Sequence, residues 1–107
     1  MKLVIDRTQW LHGEGSQQSY LVRTEDKKMC CLGFLGLSCG YTKDELEDKQ
    51  VPEQICDNSK WPILFHNEDE VAEFTTTNDR TNITDEEREQ ELIKLFRAAG
   101  IEVTFIN

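Results

Sequence analysis

Apolar residues in this chain concentrate in one segment, residues 29–40, and elsewhere they recur in short groups between charged stretches. The length of the segment favours a helix, and apolar residues on nearly all sides predict that this helix is buried. Cys30, Gly33, Gly36 and Gly40 fall at helical spacing. Such a stripe of small residues would let another backbone approach closely, and the pattern therefore predicts a central buried helix at about residues 29–40.

Two capping-box patterns predict where later helices begin. Thr42 and Glu45 form the first, ahead of a short helix over residues 43–49. Thr84 and Glu87 form the second, ahead of a longer amphipathic helix. In each box the hydroxyl and the carboxylate would satisfy backbone N–H groups that the first helical turn leaves unpaired.

The remaining pattern predicts one further helix and three short strands. Val71 and Phe74 favour a helix over residues 68–75, and the polar residues 75–82 are typical of a loop. Short β-branched or alternating segments favour strands. The predicted strands cover residues 2–5, 19–23 and 101–106.

Length and composition limit the size of the fold. The chain has 107 residues, of which 37% are hydrophobic, and this predicts one domain, residues 1–107, around a small core. We predict an α+β fold in which a small antiparallel sheet of two to three strands packs against three to four helices. The buried helix would lie at the centre of this single compact domain.

Acidic residues dominate the charge. Asp and Glu number 21 against 12 Lys and Arg, which gives a formal net charge of −9. The basic surface that nucleic-acid binding requires is therefore missing, and anionic membranes would repel the chain. The acidity serves solubility in the interpretation we favour, and in the alternative it engages a basic groove on a partner.

No targeting segment is visible in the sequence. Asp6 and Arg7 directly follow the first short apolar group, which excludes the apolar region of a signal peptide. The longest apolar run is far shorter than the ~20 residues of a membrane-spanning helix. We expect a protein of the cytoplasm in which it is made, where thiols are normally reduced.

The paired cysteines are the first candidate for reactive chemistry. They lie at the predicted start of a helix, a position that lowers the pKa of a thiol. A histidine could act as base and a polar neighbour could orient it, as in cysteine hydrolases. The residues of this candidate catalytic site are Cys30, Cys31, His12, His66, Asn78 and Asp79. We favour the simpler interpretation that the cysteines are small core residues.

Metal binding is not predicted. Zinc sites usually contain cysteine pairs separated by two to four residues, whereas these cysteines stand at positions 30, 31, 39 and 56. The sequence gives no other indication of a cofactor.

A glycine-containing loop is the third candidate site. Its residues 12–16 follow Trp10, and exposed backbone amides there could bind an anion. The candidate ligand-binding residues are His12, Gly13, Glu14 and Gly15. The loop matches neither a Walker nor a dinucleotide-binding motif. We favour a structural loop that packs Trp10 on the core, and we expect Trp61, beside Pro62, to be a core residue as well.

Several of these motifs together resemble a family of small proteins encoded by tailed bacteriophages and prophages. The motifs are Trp10-Leu-His-Gly-Glu-Gly, Ser19-Tyr-Leu, Met29-Cys-Cys-Leu-Gly-Phe-Leu-Gly, Trp61-Pro62 and Asn78-Asp79, followed by an amphipathic segment. The Cys-Cys-Leu-Gly-x-Leu run is the specific part, and the resemblance spans nearly the whole chain. Members often carry a basic residue where this chain has His12. The resemblance implies an origin in a phage genome and supplies no activity.

We therefore expect a small acidic accessory protein, non-catalytic, that binds and modulates a host macromolecule in the host cell cytoplasm. Host takeover or inhibition of host defence would fit, with a basic host protein as partner, no direct nucleic-acid or membrane binding, and an open oligomeric state. The acidic residues expected to contact the partner are Asp44, Glu45, Glu47, Asp48, Glu68, Asp69 and Glu70. A thiol-dependent enzyme using Cys30 or Cys31 and a binder of a small ligand or nucleotide through residues 12–16 remain alternatives.

Overall fold

The two ends of the chain form the sheet. A computed structural model describes residues 1–15 and 19–107, with strands β1 (Lys2–Asp6) and β2 (Glu102–Ile106). They pair in parallel, from Lys2 opposite Glu102 to Asp6 opposite Ile106. The predicted antiparallel sheet is therefore wrong. Alternating burial is the same in both arrangements, and only the path of the intervening chain decides the strand direction.

Within residues 1–15 and 19–107, four helices and two short 3₁₀ turns have defined bounds between the strands. The helices are α1 (Cys31–Ser38), α2 (Lys43–Leu46), α3 (Glu68–Asp79) and α4 (Asp85–Ala98), and the 3₁₀ turns are Pro52–Gln54 and Ile63–His66. The capping boxes at Thr42 and Thr84 are both confirmed, since each hydroxyl accepts the N3 amide at 3.1 Å.

The central helix is shorter than the predicted range 29–40. Met29 is held in an extended bridge, since its N–H donates to the Gln9 carbonyl at 2.9 Å and its carbonyl accepts the Leu11 N–H at 2.7 Å. Cys30 keeps extended backbone angles and α1 starts at the next residue. Gly40, with a φ of 105°, follows the C-terminal end of the helix.

Segment 19–23 is not the predicted strand, and only Val22 forms an isolated bridge, with Glu47. Its backbone bonds to separate segments of the chain, since the Leu21 N–H donates to the Lys49 carbonyl at 2.7 Å and the Tyr20 carbonyl accepts the Cys30 N–H at 3.0 Å. The segment also lies close to α1, where a Cβ added to Gly33 would be 1.9 Å from the Leu21 carbonyl oxygen. The predicted close approach of a backbone to the glycine stripe is confirmed at Gly33.

Helix α3 extends through residues 75–79, which were predicted to be a loop. The last turn stays helical because Thr77, Asn78 and Asp79 are buried and have partners in the protein interior. Trp10 and Trp61 are each 3% exposed, so their predicted places in the core are confirmed. Among the described residues, no helix is both long and apolar enough to cross a bilayer.

Candidate functional site

A buried hydrogen-bond network centred on Asn78 joins distant parts of the chain. The Asn78 side chain is completely buried at the end of α3. Its Oδ1 accepts the Trp10 Nε1–H at 2.9 Å and the Cys31 N–H at 3.1 Å. Its Nδ2 donates to the Leu11 carbonyl at 3.0 Å and to Ser19 Oγ at 3.1 Å. One amide therefore fixes the loop, the start of α1 and the end of α3 together.

Asp79 extends the network towards the surface. Its Oδ2 accepts the Ser19 N–H at 3.0 Å, and its Oδ1 accepts both the Ser19 hydroxyl and the Asn78 Nδ2–H. Asp79 and Ser19 are 8% and 5% exposed. The carboxylate is thus held by donors of the protein itself, and in the described structure it does not orient a histidine as the sequence suggested.

Arg88 closes the C-terminal end of α3. Its side chain is 3% exposed, and its Nη1 donates to the carbonyls of Thr77, Asn78 and Arg80 at 3.0, 3.2 and 2.6 Å. These carbonyls have no partner within the helix, and a cation also complements the negative end of the helix dipole. Sequence reasoning missed Arg88. The sequence feature that could have identified Arg88 is its position four residues before Leu92, which places it on the buried face of α4.

The paired cysteines are core residues. Cys30 and Cys31 are 2% and 0% exposed. Burial raises the pKa of Cys30 to about 12 and raises that of Cys31 well above the ordinary thiol value. The lowering expected from the helix start is therefore wrong, because removal of water from the thiolate outweighs the helix dipole.

The candidate bases do not serve these thiols. The His12 ring stacks on Trp10 with the centroids 3.9 Å apart, and its Nε2 lies 3.4 Å from Asp85 Oδ1. His66 Nε2 lies 3.0 Å from the Trp61 carbonyl. Within residues 1–15 and 19–107, no hydrogen bond joins either histidine to Cys30 or Cys31.

The glycine loop is tied to the same network. Ser16 lies outside the described residues, so only residues 12–15 can be placed. The Gly13 N–H donates to the Asn78 carbonyl at 2.8 Å and is not available to an anion. Glu14 lies 3.7 Å from Arg23. Gly15 has a φ of 63° and borders an open polar cleft of about 600 Å³ next to Asp79.

A smaller cavity adjoins this cleft along α3, since Val51 and Thr75 line both, and it combines apolar walls with a carboxylate pair. It has a volume of about 110 Å³ and lies between the two 3₁₀ turns and α3. Its lining residues are Val51, Pro52, Glu53, Phe65, His66, Glu68, Val71, Ala72 and Thr75. A side-chain hydrogen bond with Glu68 raises the pKa of Glu53, because sharing a proton favours the neutral form of the Glu53 carboxyl group.

The predicted partner-binding acids divide into two groups. Glu45 and Glu47 have structural partners, since Glu45 accepts the Thr42 N–H at 2.9 Å and Glu47 pairs with Lys27. Asp44 and Asp48 are exposed beside them. The other three, Glu68, Asp69 and Glu70, are exposed in the first turn of α3. Within this second group, Glu68 lines the smaller cavity.

Among the described residues, no three metal-ligating side chains lie together as an ion would require. Family models, curated proteins and solved structures were each compared with the chain, and none matches it.

Proposed function

We propose that this chain is a phage-encoded accessory protein that binds a basic segment of a host protein in the host cytoplasm. It would act as a non-catalytic inhibitor during host takeover or counter-defence. The observation that supports the proposal is the Glu53–Glu68 carboxyl pair at the edge of an apolar cavity. The contact surface consists of this pair, the cavity and the exposed start of α3, and we call it the acidic patch.

The carboxyl pair is unfavourable in the free protein. Both side chains are exposed, and among the described residues neither forms an ion pair with a basic side chain. Two carboxylates in contact repel each other, and a proton or a cation relieves the repulsion. A bound Lys or Arg head group would supply that cation.

The cavity beside the pair has the lining that such a side chain needs. Long basic side chains bury their methylene groups along apolar surface and keep the charged end at a polar rim. Pro52, Phe65 and Val71 provide the apolar wall. Ile63, which is 88% exposed, begins the 3₁₀ turn that carries Phe65 and offers a further apolar contact to a partner.

The charge distribution would guide a basic partner to the protein. The net charge is −9, and several basic side chains are already paired, among them Arg7 with Glu89 and Arg23 with Asp26. Complementary charge accelerates encounter and makes association sensitive to salt.

A defined basic peptide tests the acidic patch. Fluorescein-labelled octalysine is titrated at about 10 mM salt, where the Debye length is about 30 Å. The Glu53→Gln/Glu68→Gln variant should bind up to about tenfold more weakly, as expected for two exposed charge pairs. The control variant Glu86→Gln/Glu102→Gln removes equal charge from exposed sites elsewhere. An equal loss of peptide affinity in both variants would mean that net charge alone determines binding, and it would overturn the acidic patch as the binding site.

Host lysate tests the biological part of the proposal. The wild-type chain and the same two variants serve as baits at low salt. We expect a host protein that wild type and control retain and that Glu53→Gln/Glu68→Gln loses. Recovery of no such protein would count against the function, even where the peptide binds.

The same pair predicts an opposite effect on folding. Glu53→Gln removes one of the two repelling groups and should raise the thermal midpoint of the free protein at pH 7. Because the pKa of Glu53 is raised in the folded state, the pair favours folding below the ordinary carboxyl pKa, and that contribution is lost as the pH rises. A lower midpoint for Glu53→Gln in thermal melts would contradict this interpretation.

A further inference from the structure

Strand β1 has an open outer edge. The Glu102 N–H donates to the Met1 carbonyl and the Arg7 N–H donates to the Ile106 carbonyl, each at 2.9 Å. Odd-numbered residues of the first strand therefore direct their backbone groups towards β2, and Lys2, Val4 and Asp6 direct theirs away from it.

This edge lacks a covering element. Among the described residues, nothing outside the sheet forms a hydrogen bond with the backbone of Lys2 or Val4. The Val4 residue is 52% exposed. Parallel sheets are normally covered, and open edges of this kind serve as templates for a further strand.

The sequence of β1 is complementary to itself in the antiparallel direction. When two copies pair about Val4, Lys2 of each copy lies opposite Asp6 of the other, and Val4 lies opposite Val4. Leu3 lies opposite Ile5, so the buried face stays apolar across the junction. The outward backbone groups of Lys2 and Val4 and the Asp6 N–H fall on hydrogen-bonded pairs of an antiparallel ladder, while the Asp6 carbonyl already accepts the Gln9 N–H at 3.0 Å.

We propose that β1 binds β1 of a second copy of this chain, which joins the two sheets into a four-stranded sheet around a twofold axis. A twofold interface requires a surface that complements itself, and the opposite charges at the two ends of this strand meet that requirement. A parallel pairing would place Lys2 against Lys2 and Asp6 against Asp6. The proposal is independent of the acidic patch.

Mass in solution tests the interface. Light scattering is recorded across a series of protein concentrations up to about 1 mM, since proteins with small interfaces associate weakly. We expect the wild type to approach twice the monomer mass. The Val4→Lys variant, with like charges at the centre, should remain monomeric, while the control Ile106→Lys, at an exposed position of β2, should still pair. A wild type that stays monomeric, or a Val4→Lys variant that pairs equally well, overturns the proposal.

Charge exchange tests the register. Lys2→Asp and Asp6→Lys should each fail to pair with themselves and should pair when mixed, because the mixture restores opposite charges at both ends. Circular dichroism checks that each variant is folded. If Asp6→Lys does not fold, the loss of self-pairing by Lys2→Asp alone tests the register. Absence of a mixed dimer, where the wild type pairs, overturns the antiparallel register.

Discussion

The Asn78 side chain is neutral, yet it satisfies backbone or side-chain groups from three separate stretches of the chain. Trp10, Leu11, Ser19 and Cys31 each share a hydrogen bond with its amide. Among the described residues, the Trp10 Nε1–H and the Cys31 N–H have no other side-chain acceptor. The arrangement is costly to disturb, because a buried donor or acceptor that loses its partner is not rehydrated.

Replacement of Asn78 by alanine should therefore lower the free energy of unfolding by about 3–5 kcal/mol, at the high end for single substitutions. Urea unfolding followed by circular dichroism measures the change. Asn82→Ala serves as control, since Asn82 is exposed, and it should stay within about 0.5 kcal/mol of wild type. A loss below about 1 kcal/mol for Asn78→Ala would mean that water replaces the amide.

The four thiols should differ sharply in reactivity. Cys30 and Cys31 are buried, Cys39 is half-buried and Cys56 is exposed. Burial raises the pKa of Cys30 to about 12, and only the thiolate is nucleophilic. Iodoacetamide at pH 7.5 should modify Cys56 first, with Cys30 and Cys31 reacting only in denaturant, as peptide mass spectrometry would reveal. Rapid alkylation of Cys30 in the folded protein would contradict this prediction and support the alternative of a thiol-dependent enzyme.

At the scale of elements, α4 depends on its capping box. The Thr84 hydroxyl accepts the Glu87 N–H at 3.1 Å, and the Glu87 carboxylate accepts the Thr84 N–H at 2.9 Å. Hydrogen bonds from Thr84 lower the pKa of Glu87. Its contribution to stability is thus present above the ordinary carboxyl pKa and is lost as the pH falls through the lowered value.

Thr84→Ala should destabilise the protein by about 1 kcal/mol, the usual cost of a lost N-cap. Thr84→Ser retains the hydroxyl and should recover most of that loss. Thr76→Ala, at an exposed position within α3, controls for threonine removal. The midpoints of urea unfolding measure these differences in stability. An equal shift of the midpoint for Thr84→Ala and Thr76→Ala would mean that the N-cap does not contribute to stability.

Capping boxes were predictable because their signal lies within four residues of sequence. The end of α3 was not, because residues 75–79 are polar and are held by partners distant along the chain, such as Ser19 for Asp79, and by Arg88 of the next helix. Sheet direction was hidden as well, since alternation in residues 2–5 and 101–106 fits either direction. The acidic patch was predicted in part: Glu68 was named from its charge, whereas Glu53 becomes relevant only when the fold brings it next to Glu68.

At the scale of the whole molecule, excess negative charge acts on folding and on binding in opposite ways. The compact chain concentrates a net charge of −9, and self-repulsion of this kind opposes the folded state. Surface ion pairs such as Arg7 with Glu89 offset it only slightly, because exposed pairs contribute little. The same field would attract the basic partner proposed above.

Salt should therefore stabilise the free protein and weaken its complex. Raising NaCl from about 0.01 M to about 0.15 M shortens the Debye length from about 30 Å to about 8 Å. The thermal midpoint should rise over this range, while the affinity for octalysine should fall. Sucrose is the control, since it stabilises folding by exclusion from the surface without screening charge, and it should leave peptide affinity unchanged. If salt lowered the thermal midpoint, local ion pairs would outweigh the net repulsion between like charges. Attraction of a basic partner would then not explain the acidity of the chain.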